Sequence, residues 1–66
     1  MRIAVYQNGK MVGWVQTVSV YKGKFMITKD KSKAKHGYKT YEAIHGDIDL
    51  CHAMCKGAYA FMVDES

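Results

Sequence analysis

From Arg2 to Thr28 hydrophobic and polar side chains alternate, and two short turn signals, Asn8-Gly9 and Lys22-Gly23, interrupt them. Alternation of this kind is the signature of a strand with one buried face. Asn-Gly between two such segments predicts a two-residue hairpin loop, because both residues tolerate positive φ. Folding there pairs Gln7 with Lys10, Val5 with Val12 and Ile3 with Trp14. A second two-residue loop at Lys22-Gly23 pairs Tyr21 with Lys24, Val20 with Phe25 and Val18 with Ile27. This register gathers Ile3, Val5, Val12, Trp14, Val18, Val20, Phe25 and Ile27 on one face. A slip of one residue would turn a strand's whole apolar set to water. Gln16 breaks the apolar row between Trp14 and Val18, and marks a bend, a bulge or the end of the covered area.

Beyond residue 28 the period changes. Asp30 reads as an N-cap for a short helical turn over Lys31 to His36, with Gly37 as a left-handed cap and Tyr38 as an anchor. Thr40 is a second N-cap, followed by Glu42 in the first turn, where the helix dipole favours a carboxylate. Ile44, Ile48, Cys51 and Cys55 recur at helical spacing through Tyr41 to Lys56, flanked by Ala43, Leu50 and Met54. Gly46 weakens this helix by about 1 kcal/mol relative to alanine and allows a kink or a close contact. Gly57 ends it. Ala58 to Val63 reads as a last strand, with Tyr59, Phe61 and Val63 on one side. The fold class is α+β: a three-stranded antiparallel meander plus a C-terminal fourth strand, with one main helix packed on one face. The fourth strand is expected beside the first, and residues 1–66 make a single domain.

Size limits the core. A chain of 66 residues buries only about 60% of the surface its unfolded form exposes. Two cysteines, Cys51 and Cys55, are too few for a disulfide-stapled secreted scaffold. No apolar run approaches the roughly 20 residues of a membrane span, so no membrane partner and a cytoplasmic location are expected. The net charge of +4 conceals two unlike halves. Residues 1–39 hold nine Lys/Arg against Asp30 alone, whereas residues 40–66 hold Lys56 against five carboxylates.

The segment from Thr28 to Ala43 carries a pattern. Thr28, Asp30, Lys33-Ala34-Lys35, Tyr38, Thr40 and Glu42-Ala43 follow the order T-x-D-x-x-K-A-K, aromatic, T-x-E-A, with His36-Gly37 standing before the aromatic. In this pattern and in its order of elements the chain resembles small phage and prophage accessory proteins, built as a hairpin, a lysine-rich turn, a helix and a strand. That class includes anti-CRISPR and other host-modulating proteins. The resemblance implies a mobile-element setting, the host cell cytoplasm, and a host or viral protein complex as partner. It carries no active site to transfer.

Candidate chemistry is sparse. His45, Asp49 and His52 share one helix face at ligand spacing, but they read as a solvated face. Cys51 and Cys55 lie on the apolar side and read as core thiols. Asp47 lies near the apolar stripe and is expected to pair with a lysine or tyrosine at the sheet edge. No nucleophile motif and no glycine-rich phosphate loop is present. No catalytic residue, metal or cofactor is therefore nominated, and the chain is read as a non-enzyme.

Two surfaces remain. Lys22, Lys24, Lys29, Lys31, Lys33, Lys35 and Lys39 fall within 18 residues, enough to neutralise several phosphates. The sole arginine, Arg2, leaves little for base reading. The second surface is the sheet face opposite the helix. By parity it presents Arg2, Ala4, Tyr6, Met11, Gly13, Val15, Thr17, Ser19, Tyr21, Lys24, Met26 and Thr28, with Tyr6, Met11, Tyr21 and Met26 as the candidate partner contacts. The leading expectation is a protein–protein interaction module that modulates or inhibits a host complex. The alternative is a small basic sheet-type DNA or RNA binder. A homodimer joined through the sheet face or a strand edge is a third reading.

Overall fold

The computed structural model describes all residues, 1–66. Asn8 and Gly9 take φ of 54° and 77°, the left-handed pair that a tight hairpin loop requires. They join β1 (Arg2–Gln7) to β2 (Lys10–Ser19). β3 (Lys24–Thr28) follows, then a 3-10 turn at Lys31–Lys33, the helix α1 (Tyr41–Cys55) and β4 (Ala60–Asp64). All strand pairs are antiparallel in one sheet of order β3-β2-β1-β4, so β4 does run beside β1. The fold is α+β, with one helix packed on a four-stranded sheet.

The local signals behave as the residues dictate. Asp30 accepts a hydrogen bond from the Ser32 amide and caps the 3-10 turn, which is shorter than the stretch to His36. Thr40 accepts from the Ala43 amide and caps α1. The helix stops where Lys56 turns left-handed at φ 52°, just before Gly57. Gly46 sits in an unbroken helix with nothing near the place of a side chain, so it makes neither a break nor a close contact.

The register of β2 differs from simple alternation at two points. Ala4 lies opposite Trp14 and Val5 opposite Gly13, while Tyr6 still faces Met11. One residue of β2, at Val12, is therefore extra, a β-bulge. A second extra residue is Gln16, since Val15 faces Ile27 and Thr17 faces Met26. Each bulge shifts the alternation by one, and together they cancel. Between them the faces are exchanged. Val15 is fully buried under the helix, and Trp14 stands on the opposite side of the sheet. This corrects the placement of Trp14 in the core and of Val15 on the open face. Val18 returns to the core side opposite Phe25.

The second loop is also longer than two residues. Ser19 faces Lys24 across a four-residue turn, Val20 to Gly23. Lys22 would need positive φ in a two-residue loop; here only Gly23 takes it, at 66°. Val20 is thus 67% exposed rather than core, and Tyr21 leaves the strand altogether at 99% exposure. The core itself is Ile3, Val5, Val15, Ile44, Ile48 and Cys51, with Val12, Val18, Phe25, Ile27, Tyr38, Phe61 and Val63 among the partly buried residues around it.

Candidate functional site

The helix covers one face of the sheet, so the other face carries whatever the sheet offers a partner. Strand pairing lays this face out in rows. Met62, Ala4, Trp14 and Thr28 form one row across all four strands. Ala60, Tyr6 and Met11 flank it on one side, and Thr17 and Met26 on the other. Met11, Met26 and Met62 are 42%, 57% and 59% exposed. Trp14 lies among them beside Ala4, whose small side chain leaves the indole room.

A polar cluster fixes the indole. Its Nε1 donates to Asp64 Oδ2 at 2.9 Å, and Lys31 Nζ lies 5.9 Å from the ring centroid. Lys31 Nζ is also 3.6 Å from Asp64 Oδ2 and 2.6 Å from Ser66 Oγ. Ser66 donates from its amide and hydroxyl to Asp64 Oδ1 at 3.0 and 2.6 Å. Arg2 completes the cluster, donating from Nε to the Lys31 carbonyl at 3.1 Å and from Nη1 to the Ser66 carbonyl at 3.3 Å. The N-terminus, the lysine-rich turn and the C-terminal residues are thereby tied together around one tryptophan.

A cleft of about 440 Å³ opens beside it, lined by Met11, Val12, Gly13, Trp14 and Lys29. A second depression, lined by Thr17, Ser19, Lys22, Lys24 and Met26, lies along β2 and β3. No family model, curated protein or solved structure matches this chain. The surface must therefore be read from its own chemistry.

The lysine run divides in the fold. Lys31 is engaged with Asp64, and Lys35 Nζ contacts Asp47 Oδ2 at 2.8 Å. Tyr38 OH donates to the same Asp47 oxygen at 2.5 Å, so Asp47 takes both a lysine and a tyrosine. Lys35 also donates its amide to the Val15 carbonyl at 3.0 Å, and Ala34 beside it is buried. The Lys33-Ala34-Lys35…Tyr38 motif thus clamps the crossover to β2 and α1. Lys22, Lys24, Lys29, Lys33 and Lys39 make no ion pair, and of these Lys22, Lys24 and Lys29 line the two depressions.

The candidate contacts separate in the same way. Tyr6, Met11 and Met26 do share the open face, with Tyr6 half-buried. Tyr21 does not join them, because it sits in the turn. Two residues of the face, Trp14 and Met62, escape simple alternation and strand-by-strand reading. Gly13 is the signal for the first, since a glycine inside a strand often marks a bulge. Met62 follows once β4 is set against β1.

No three His, Cys, Asp or Glu side chains converge as a metal site. Cys51 and Cys55 are free thiols, and burial, with the Asp47 charge next, pushes Cys51 up to about 11. His52 packs edge-on against Phe61 at 4.9 Å rather than facing a ligand. No helix is long and apolar enough to cross a membrane.

Two carboxylates give the fold a pH dependence. Hydrogen bonds from Ser66 and Trp14 hold Asp64 well below the usual carboxylate range. Burial pushes Asp47 up, but the bonds from Lys35 and Tyr38 and the Lys35 charge outweigh it, leaving it below its ordinary value. A lowered folded value means fewer protons bound in the folded state than in the unfolded one. The stability these groups add is then complete above the unfolded carboxylate value of about 3.9 and is lost as pH falls through the folded values. Thermal unfolding followed from neutral pH to about pH 2.5 is expected to show this acid loss. In Asp47→Asn/Asp64→Asn the slope should flatten; an unchanged slope would assign the acid sensitivity to other groups.

Proposed function

We propose that this protein is a non-enzymatic interaction module that docks through its open sheet face onto another protein. The observation that carries the reading is the exposure of Met11, Met26 and Met62 on one face around Trp14. Methionine adapts to the shape of a partner, and tryptophan is enriched among residues that dominate binding energy. Lys29 beside Met11 and Trp14, and Lys24 beside Met26, are free of internal carboxylates. The surface that fits is apolar at its centre and carries carboxylates at its rim. In the mobile-element setting that the sequence pattern suggests, this partner is a component of a host complex, and binding modulates or inhibits it.

The nucleic-acid reading is weaker on this chain. Two of its seven lysines are spent on Asp64 and Asp47, and Arg2 is turned onto backbone carbonyls.

Affinity capture from nuclease-treated bacterial lysate separates these readings. Wild-type protein should retain a defined partner that Met11→Asp/Met26→Asp loses at least tenfold, with an unchanged circular dichroism spectrum. Both side chains are exposed, so the fold should tolerate the change. Retention that survives the double substitution, or that disappears on nuclease treatment alone, would overturn the proposal.

A further inference from the structure

The sheet ends in two edge strands, β3 and β4, each paired on one side only. None of the backbone bonds made by turns and loops reaches either outer edge. An unpaired edge is a template for another strand, and lysine is a common guard against that. The two edges differ in this respect. β3 contains Lys24 and is flanked by Lys22 and Lys29. β4 reads Ala60-Phe61-Met62-Val63-Asp64, with no lysine, arginine or proline, and its register with β1 is unbroken over five residues.

β4 is also its own complement. Set antiparallel against itself about a two-fold axis at Met62, it places Met62 on Met62, Phe61 on Val63 and Ala60 on Asp64. The faces agree. Met62 lies on the open face, and Phe61 and Val63 lie on the helix side, where each is only half-buried. Apolar side chains thus meet across the axis, and no carboxylate faces another. An axis perpendicular to the sheet keeps both helices on one side, so the two small cores become continuous. Only nine of 66 residues are buried in one copy, and a domain this small gains from such an extension.

We propose that β4 is a homodimerisation edge: a second copy of this chain adds to it antiparallel, centred on Met62, giving one eight-stranded sheet. The lysine-guarded β3 strands then form both outer edges, and the assembly closes at two chains, as isologous contacts do. The pairing does not require the open-face partner, and it sets the two open faces side by side with Met62 shared between the axis and the face.

Sedimentation velocity of the full chain over a dilution series tests this. Wild type should pass reversibly from one chain to two and no further. Met62→Lys and Met62→Glu should each stay single at the concentrations where wild type is paired, because like charges would face each other at the axis. An equimolar mixture of these two variants should recover the two-chain species, more weakly as salt rises. Met26→Lys, on the other edge strand, should pair like wild type. Circular dichroism should be unchanged throughout, since both methionines are exposed. The proposal is overturned by a wild type that never pairs or that grows beyond two chains. It is equally overturned if Met62→Lys still pairs, if Met26→Lys does not, or if the mixture fails to recover the pair.

Discussion

Gly13→Ala is expected to lower the stability of the protein by about 3 kcal/mol or more. The backbone at Gly13 has φ of 154°, outside the range that L residues adopt readily. A Cβ there would lie 2.5 Å from the Thr28 carbonyl oxygen and 2.9 Å from Ile27 Cγ2. The isoleucine methyl could swing away, but the carbonyl belongs to the strand that pairs Trp14 with Thr28. Relief therefore means breaking the β2–β3 ladder where it begins. Backbone strain and overpacking together cost about 3 kcal/mol or more. A domain of this length holds roughly 3–10 kcal/mol in total. Gly9→Ala is the control: its φ is 77°, yet nothing lies within 4 Å of the new methyl, and a loss of about 1 kcal/mol is expected. Urea unfolding followed by circular dichroism and by Trp14 fluorescence compares the two. Equal midpoints would show that the bulge does not depend on glycine.

Ile44→Ala is the second substitution with a large expected effect, a loss of about 2–5 kcal/mol. Ile44 is the first core residue of α1, fully buried with Ile3, Val5 and Val15 from the sheet. Its removal opens a cavity at the helix–sheet contact, where the surrounding side chains relax only in part. The m-value should stay near that of wild type, because the loss falls on the native state. A midpoint shift equivalent to under 1 kcal/mol would mean that the helix settles freely on the sheet. Either substitution also removes the platform that presents Met11, Met26 and Met62, so binding through the open face should fall with stability.

The open face shows how a short-range pattern is right about most of a surface and wrong at its centre. Tyr6, Met11 and Met26 are found on it because each lies outside the stretch between the two bulges. Trp14 and Val15 lie inside that stretch, and their faces are exchanged. Tyr21 fails for a different reason: positive φ costs a lysine more than a glycine, and here Gly23 takes it without Lys22, so the chain spends two more residues in the turn. The lysines were legible as a run but not as individuals. Their separation into paired Lys31 and Lys35 and unpaired Lys22, Lys24, Lys29, Lys33 and Lys39 depends on where Asp64 and Asp47 come to rest.

Features set by neighbours in the chain are legible in the sequence by itself. The Asn8-Gly9 hairpin, the Asp30 and Thr40 caps, the Ile44-Ile48-Cys51 stripe and the alternation of β4 each depend on a few consecutive residues and their backbone preferences. The placing of β4 beside β1 is legible too, though from connectivity rather than from neighbouring residues, since the single helix leaves few ways back to the sheet. Only the tertiary structure decides which of the adjacent residues Trp14 and Val15 goes under the helix. Gly13 and Gln16 permit two bulges at a small local cost in ladder hydrogen bonds. What selects them is distant. Val15 fits among Ile3, Val5 and Ile44, whereas Trp14 finds space beside Ala4 and an acceptor for its indole N–H in Asp64, fifty residues away. That choice is a packing energy between segments remote in sequence, and a local pattern of hydrophobic and polar residues does not contain it.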